Sequence, residues 1–342
     1  MIKKTIKMCL FAISALLLVS CGDNKVNELT VPKETNIPTR RVNKIVTTIY
    51  PEYDWINNII KGNEENFDIS ILMTSGIDLH NFQPTAKDLL DIDTADLFVY
   101  VGGESDDWAE LAITQSTNRE LKTINLMEVL RDKVKFEETI EGMQEEEHEH
   151  GGEHDEEHGE GHEEEYDEHV WLSLSNAMII CKALKDEIVA LDYDNKNLYE
   201  SNFSLYIEKL KSLDNEYKEA INSAKRNKLL FADRFPFRYL FDDYNLKYYA
   251  AFKGCSAETE ASFETIKFLS DKLGEEKFPY VMKIERSEDK IARAVIDNSD
   301  NKDAKIETMY SIQAVSDSDI KAGETYLSYM GKNLEVLKKV LN

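Results

Sequence analysis

The sequence predicts an α/β protein of two lobes, each a parallel sheet flanked by helices, joined by a long spanning α-helix. Three observations predict it. After residue 43, short apolar runs alternate with helical patterns, the order expected of a parallel sheet with helices on its faces. The second half of the chain repeats that plan. Between the halves, residues 196–224 run without Pro or Gly. At 1.5 Å per residue such a helix spans roughly 42 Å, enough to cross from one lobe to the other.

The elements follow in order. Residues 44–50 (KIVTTIY) are β-rich, and 53–61 (YDWINNIIK) then take a helical period. Residues 67–73 (FDISILM) and 96–101 (DLFVYV) read as strands, with a short helix at 85–93 between them. A helix at 175–190 has Ser175 available as its cap. The long helix carries Leu205, Ile207, Leu210, Leu213 and Tyr217 on one side. In the second half, strands fall at 228–232, 247–252, 279–284 and 304–310, and helices at 237–243, 262–274, 288–298 and 323–341. The last helix places Tyr326, Met330, Leu334, Leu337 and Leu341 at helical spacing.

Composition bounds what such a fold is for. The chain has 342 residues, of which 42% are apolar, enough for a sizeable core. Its 66 acidic residues against 41 basic ones give a net charge of −25, a field that repels a phosphate backbone and excludes nucleic acid as a partner. Much of that charge sits in residues 141–168, EGMQEEEHEHGGEHDEEHGEGHEEEYDE, a tract with no basic residue that cannot form a core and reads as a disordered loop.

Residues 1–21 (MIKKTIKMCLFAISALLLVSC) carry Lys3, Lys4 and Lys7 ahead of an apolar stretch too short for a spanning helix. Leu18-Val19-Ser20-Cys21 resembles a bacterial lipobox, in which the cysteine is lipidated and becomes the mature N-terminus. Residues after 21 contain no apolar run of about 18, so membrane association is expected through the lipid alone. The organisation expected is therefore a signal peptide at 1–20, a lipidated Cys21 and flexible tether to 42, an N-terminal lobe at 43–195 including the acidic tract, a linking helix at 196–225 and a C-terminal lobe at 226–342. Cys181 and Cys255 remain, and the sequence leaves open whether they pair.

Five of the seven histidines lie in the acidic tract: His148, His150, His154, His158 and His162. Imidazole and carboxylate together suit zinc, copper and nickel, so the tract is a candidate secondary metal site of weak, exchangeable character. The other two, His80 and His169, stand apart. In open α/β sheets, ligands bind outside the carboxyl ends of the strands. His80 follows one predicted strand, Asp233 another, Glu258 and Glu260 a third, and Ser311 and Gln313 a fourth. All are placed to converge on one crevice between the lobes.

These stretches resemble the metal-binding lipoproteins of ABC importers for zinc and manganese, the cluster A-I solute-binding proteins, in the zinc-importer type with a His-rich loop. The resemblance covers residues 44–342 and rests on IYPEYDWINNI, SGIDLHNFQPTAKDL, the His-rich insert, DEHVWLSLSNA, GCSAETEAS and TYLSYMGKNLEVLKK. It implies that His80 and His169 bind the ion. The family's third histidine belongs in a segment that here reads ADRFPFRY, with Asp233 and Arg234 in its place, and no histidine follows His169. The resemblance points instead to Glu258, ahead of Glu260, and to Asp233 as acidic ligands. Near Tyr310–Gln313, where the family has a late acidic ligand, no carboxylate occurs. One carboxylate would leave a zinc site at +1 and two would leave it neutral. Asp78 and Glu168 are the expected outer partners of the two imidazoles.

The implied function is a binding protein and not an enzyme: a monomeric, lipid-anchored, extracytoplasmic protein that captures a divalent metal, zinc before manganese, and delivers it to an ABC permease and its ATPase. Two alternatives are a surface adhesin on the same fold and a metallohydrolase built on His80, His169 and one carboxylate.

Overall fold

The computed structural model describes residues 41–74, 77–144, 165–256, 260–313 and 315–342. In the first half, the buried, β-branched run β1 (Asn43–Thr47) pairs in parallel with β2 (Phe67–Ile71) on one side and β3 (Leu97–Tyr100) on the other, and β3 pairs with β4 (Lys122–Asn125). The spatial order is β2-β1-β3-β4. The crossovers carry α1 (Tyr50–Ile60), α2 (Ala86–Asp93) and α3 (Asp107–Gln115), and α4 (Leu126–Leu130) follows β4.

The second half repeats the plan with β5 (Lys228–Phe235), β6 (Lys247–Lys253), β7 (Tyr280–Ile284) and β8 (Lys305–Met309), all parallel, in the order β6-β5-β7-β8. Its helices are α7 (Arg238–Asp243), α8 (Phe263–Glu275), α9 (Lys290–Asn298), α10 (Asp317–Lys321) and α11 (Tyr326–Val340). Each sheet therefore reverses its strand order once, between β1 and β3 and between β5 and β7, which are the places where open α/β sheets receive ligands.

Between the sheets in chain order run α5 (Leu174–Leu191) and the 27-residue α6 (Lys196–Asn222), which packs against α1, α5 and α11. Its buried side matches the apolar side read in the sequence at Leu210 and Tyr217, with Ile207 and Leu213 partly buried against the core, and departs from it at Leu205. Leu205 is exposed, and the buried residues are Tyr199, Tyr206, Leu210 and Tyr217. Tyrosine suits this helix because each ring fills apolar space while its hydroxyl finds a partner. Tyr217 donates to the Met330 carbonyl at 2.6 Å, and Tyr199 donates to Asp192 at 2.6 Å.

Other corrections are local. The cap of α5 is Ser173, whose hydroxyl accepts from Asn176 N, and not Ser175. Strand β5 runs on through Asp233 to Phe235 with a register shift between Phe231 and Arg234, so Asp233 lies inside the strand rather than beyond its end. Helices α3, α4 and α10 and strand β4 have no counterpart in the sequence reading. Only Ile124 of β4 is buried, which leaves an edge strand with little apolar signal. Cys181 and Cys255 are both free thiols. Among the described residues, no helix is long and apolar enough to cross a membrane.

Buried carboxylates stitch the carboxyl ends of the strands. Glu52 accepts from Thr48 N and Ile49 N just after β1, and Asp106 accepts from Val101 N and Gly102 N just after β3. Burial is the main cause that lifts both above the ordinary carboxylate range, Asp106 to about 7. Glu285, after β7, accepts from the backbone of Ser311 and Ile312. Backbone donors that would otherwise be orphaned at these loop starts are thereby satisfied.

Candidate metal centre

His80 sits on a short 3₁₀ turn, Leu79–Asn81, beyond β2. Asp78 caps that turn, its Oδ1 accepting from His80 N at 3.1 Å. Leu79 is fully buried and anchors the turn from below. His169 precedes a second 3₁₀ turn, Val170–Leu172, whose three side chains are fully buried. Trp171 Nε1 donates to the Ser311 carbonyl at 2.7 Å, and Tyr326 donates to the Trp171 carbonyl at 2.7 Å. The segment bearing His169 is thus fastened to the second half of the molecule.

The two imidazoles face each other. Their Nε2 atoms are 3.2 Å apart. Each Nδ1 turns to oxygen: His169 Nδ1 lies 3.0 Å from Asp167 Oδ1, and His80 Nδ1 lies 2.7 Å from Ser105 Oγ and 3.4 Å from Glu168 Oε2. Assigning the proton to Nδ1 on each ring, as these acceptors favour, leaves two Nε2 lone pairs directed at one another across a gap with no hydrogen in it. A tetrahedral ion bonded at 2.0–2.1 Å to both nitrogens would hold them about 3.3 Å apart.

The surroundings favour positive charge. His169 is fully buried, which opposes protonation, yet Asp167, Glu137 and Glu168 together hold its pKa above the ordinary value. The field that favours a proton on this ring equally favours a cation beside it. Burial pushes Glu168 up, but its contacts with His80 and Ser105 more than offset that and keep its carboxyl below the usual range. Glu168 Oε2 is buried and makes no hydrogen bond, which leaves it facing His80 as a bare acceptor. Glu137 is raised, first by burial and then by Asp167.

Glycine is required at one point here. Gly103 has φ +85°, and a Cβ on it would lie 2.4 Å from Glu168 Oε1, the atom that accepts from Ser105 N. The backbone at Gly103 leaves room for Glu168 to reach behind His80.

Of the expected ligands, His80 and His169 come together. Asp233 does not join them: its Oδ2 accepts from Ile284 N at 3.0 Å and its Oδ1 from Arg234 N at 2.8 Å, tying β5 to β7. Glu260 is exposed and pairs with Lys290 at 3.1 Å. Glu258, Cys21 and the tract histidines His148, His150, His154, His158 and His162 lie outside the described residues. Of the expected outer partners, Glu168 faces His80, whereas Asp78 holds the His80 backbone and pairs with Arg234 at 2.5 Å. Ser311 is engaged by Glu285, and Gln313 Nε2 donates to Asp78 at 3.0 Å.

Three residues of this cluster escaped the sequence reading. Asp167 was visible beside the motif histidine in DEHVWL, with nothing to distinguish it from the acids of the tract. Glu137 and Cys255 come from distant loops, and Cys255 Sγ lies in one group with ring nitrogens of His80 and His169, all within 4.8 Å of one another. Glu137, Asp167 and His169 form a second such group.

The family model described as zinc-uptake complex component A, periplasmic, matches residues 45–340. The zinc-binding lipoprotein AdcA of Streptococcus pneumoniae is 32% identical over 338 residues, covering 98% of this chain but 61% of its own length. The chain thus spans under two thirds of that relative. The high-affinity zinc uptake system protein ZnuA of Bacillus subtilis is 30% identical over 341 residues and is covered to 99%. The crystal structure of the Zn(II)-bound ZnuA-like domain of the pneumococcal AdcA superposes with a TM-score of 0.67 at 27% identity, covering 88% of this chain and 99% of that one.

Proposed function

The chain belongs to the family of zinc-uptake complex component A proteins, and from that premise we propose that it captures zinc outside the cytoplasm through His80 and His169 and delivers it to the permease of an ABC importer, whose ATPase drives transport. The observation that carries this reading is the pair of Nε2 atoms at 3.2 Å, with His169 backed by the Asp167 carboxylate and His80 by the Ser105 hydroxyl, Glu168 standing 3.4 Å behind it. Metal-bound histidines almost always donate their other N–H to such an acceptor, which fixes the ring and raises its basicity. Zinc is favoured over manganese because imidazole nitrogens suit it and manganese prefers oxygen. The solute-binding reading also replaces the hydrolase alternative.

The lipid anchor at Cys21 belongs to the same proposal, as do the monomeric state and the division into lobes at 43–195 and 226–342 with a linking helix between. The acidic tract gathers ions for the site. Its two described ends support this: Gln144 N donates to the Ala251 carbonyl on β6, and Glu165 O accepts from Glu137 N, two residues from Asp167.

The test is metal content and thermal shift of the protein with zinc, manganese or chelator, for the native chain, for His80→Ala and for a chain lacking 145–164. Removing only those residues keeps Gln144, which holds Ser262 N at 2.6 Å, and Tyr166, which stacks on Phe136. Zinc at a hundred times its dissociation constant adds about 2.7 kcal/mol to the folded state. The expected shift is zinc-specific, survives loss of the tract and disappears in His80→Ala. A shift that persists in His80→Ala and vanishes with the tract overturns the reading.

A further inference from the structure

We propose that Cys255 is the third protein ligand of the metal centre, completing a His80–His169–Cys255 set that takes a soft-accepting divalent ion such as zinc; the proposal rests on the metal-capture reading above. No histidine follows His169 in the sequence, so the second half of the molecule has no imidazole to offer. Among the described residues, neither Asp233 nor Glu260 supplies a replacement, since the first is spent on the backbone of β5 and β7 and the second is at the surface. Cys255 is in place. It follows β6, and its backbone N donates to Glu137 Oε1 at 3.0 Å, which orients the loop start. Its sulfur lies within 4.8 Å of ring nitrogens on both histidines.

The geometry asks for little movement. A tetrahedral zinc with Zn–N near 2.0–2.1 Å and Zn–S near 2.3 Å sets its nitrogens about 3.3 Å apart and its sulfur about 3.5 Å from each nitrogen. The two Nε2 atoms already stand 3.2 Å apart, and the sulfur, within 4.8 Å of a nitrogen on each ring, has to close by about 1.3 Å at most. Gly254 provides the close approach this needs: a Cβ there would lie 3.2 Å from His169 Cε1 and 3.0 Å from the Phe235 carbonyl. As the metal–sulfur bond forms, the thiol proton leaves to solvent, and the centre becomes one dication, one thiolate and two neutral imidazoles. Its residual positive charge faces Asp167, Glu168 and Glu137. Binding through sulfur also separates zinc from manganese and magnesium more sharply than a carboxylate would.

The test loads the full chain with cobalt(II), whose bond to a thiolate gives a charge-transfer absorption in the near ultraviolet that bonds to nitrogen and oxygen do not. Native protein, Cys255→Ser, Glu258→Gln and His80→Ala are compared, with circular dichroism confirming that each is folded. The expected result is the absorption in native protein and in Glu258→Gln, its loss in Cys255→Ser and in His80→Ala, and a zinc affinity in Cys255→Ser weaker by about tenfold or more, at least what an outer-shell partner is worth. Cobalt bound in a His80-dependent way without the absorption, or with an absorption indifferent to Cys255→Ser, overturns the thiolate ligand and leaves the metal centre standing. Cobalt binding that His80→Ala does not change overturns the thiolate ligand together with the capture reading.

Discussion

Asp167→Asn isolates the field behind His169 from the ligand itself. One oxygen, Asp167 Oδ1, receives both the backbone N–H of His169 at 2.8 Å and its Nδ1 at 3.0 Å, with His169 fully buried and Asp167 1% exposed. Asparagine keeps an acceptor of the same size and removes the charge. The backbone carbonyl of residue 167, which accepts from Tyr239, is untouched, so the loop should hold its place. The loss then falls on the basicity and orientation of the ring. Outer-shell partners of metal-bound histidines are worth 10–100-fold in affinity, about 1.4–2.8 kcal/mol. Zinc affinity, measured by competition with a chromogenic chelator at constant pH, should fall within that range. The metal-free melting temperature should move far less, because a carboxylate no longer needs to be buried there. Unchanged zinc affinity in a correctly folded Asp167→Asn protein would refute the view that the buried carboxylate holds the ligand ring in its working tautomer.

Two further outcomes are expected. Asp54 is buried beside Tyr206 and Tyr326, and burial raises its pKa from 3.8 to about 6. A carboxyl raised in the folded state contributes stability that is complete below pH 3.8 and is lost as pH climbs through about 6, so at neutral pH its ionised form costs up to about 3 kcal/mol. Asp54→Asn should therefore melt higher than the native protein at pH 7.5 and converge with it toward pH 4; parallel melting curves across that span would contradict the sign. Gly103→Ala places a methyl group in a positive-φ backbone and 2.4 Å from Glu168 Oε1, so it should cost about 1–3 kcal/mol in stability and weaken zinc binding by displacing Glu168 from His80. An alanine variant that melts and binds like the native chain would show that Glu168 needs no such space.

Legibility in the sequence followed burial. The C-terminal helix was readable because Tyr326, Met330, Leu334, Leu337 and Leu341 all face the core at one period, and all five are buried. The long helix was readable as a helix, since nothing in it breaks one, and its core side was readable in part: Ile207, Leu210, Leu213 and Tyr217 pack on the core, while Tyr199 and Tyr206 were missed. Tyrosine scores as polar in a hydropathy pattern even where its hydroxyl has a partner, which hid Tyr199 and Tyr206, and Leu205, read as part of the apolar side, is exposed. The two imidazoles were legible through the motifs that carry them, SGIDLHNFQPTAKDL and DEHVWLSLSNA, and the fold brings them together. Their companions were not. Glu137 and Cys255 reach the cluster from loops more than a hundred residues apart, and only the folded topology joins them. Asp233 misled because strand β5 continues through it, which turns a residue expected at a strand end into one that pairs with the neighbouring strand.

Arg234 then acquires a definite part in the site. It stands in the segment where a third histidine is expected, and a guanidinium cannot bind a metal ion. Left bare it would repel one, since two like unit charges 4 Å apart at an effective dielectric of 20 cost about 4 kcal/mol. It is not bare. Its Nη2 pairs with Asp78 Oδ2 at 2.5 Å, and its Nη1 donates to the Ser256 carbonyl at 3.2 Å. Burial opposes ionisation of Asp78, and the guanidinium more than compensates, holding that carboxyl below its usual range. The pair is therefore close to neutral as seen from the imidazoles. It is also a brace. Asp78 carries the backbone of His80 on its other oxygen, and Ser256 adjoins Cys255. The planar fork of arginine can hold both at once, which the point charge of a lysine cannot. Arg234 thus contributes no ligand from β5 but ties together the two segments that carry His80 and Cys255, through Asp78 on one side and the Ser256 carbonyl on the other.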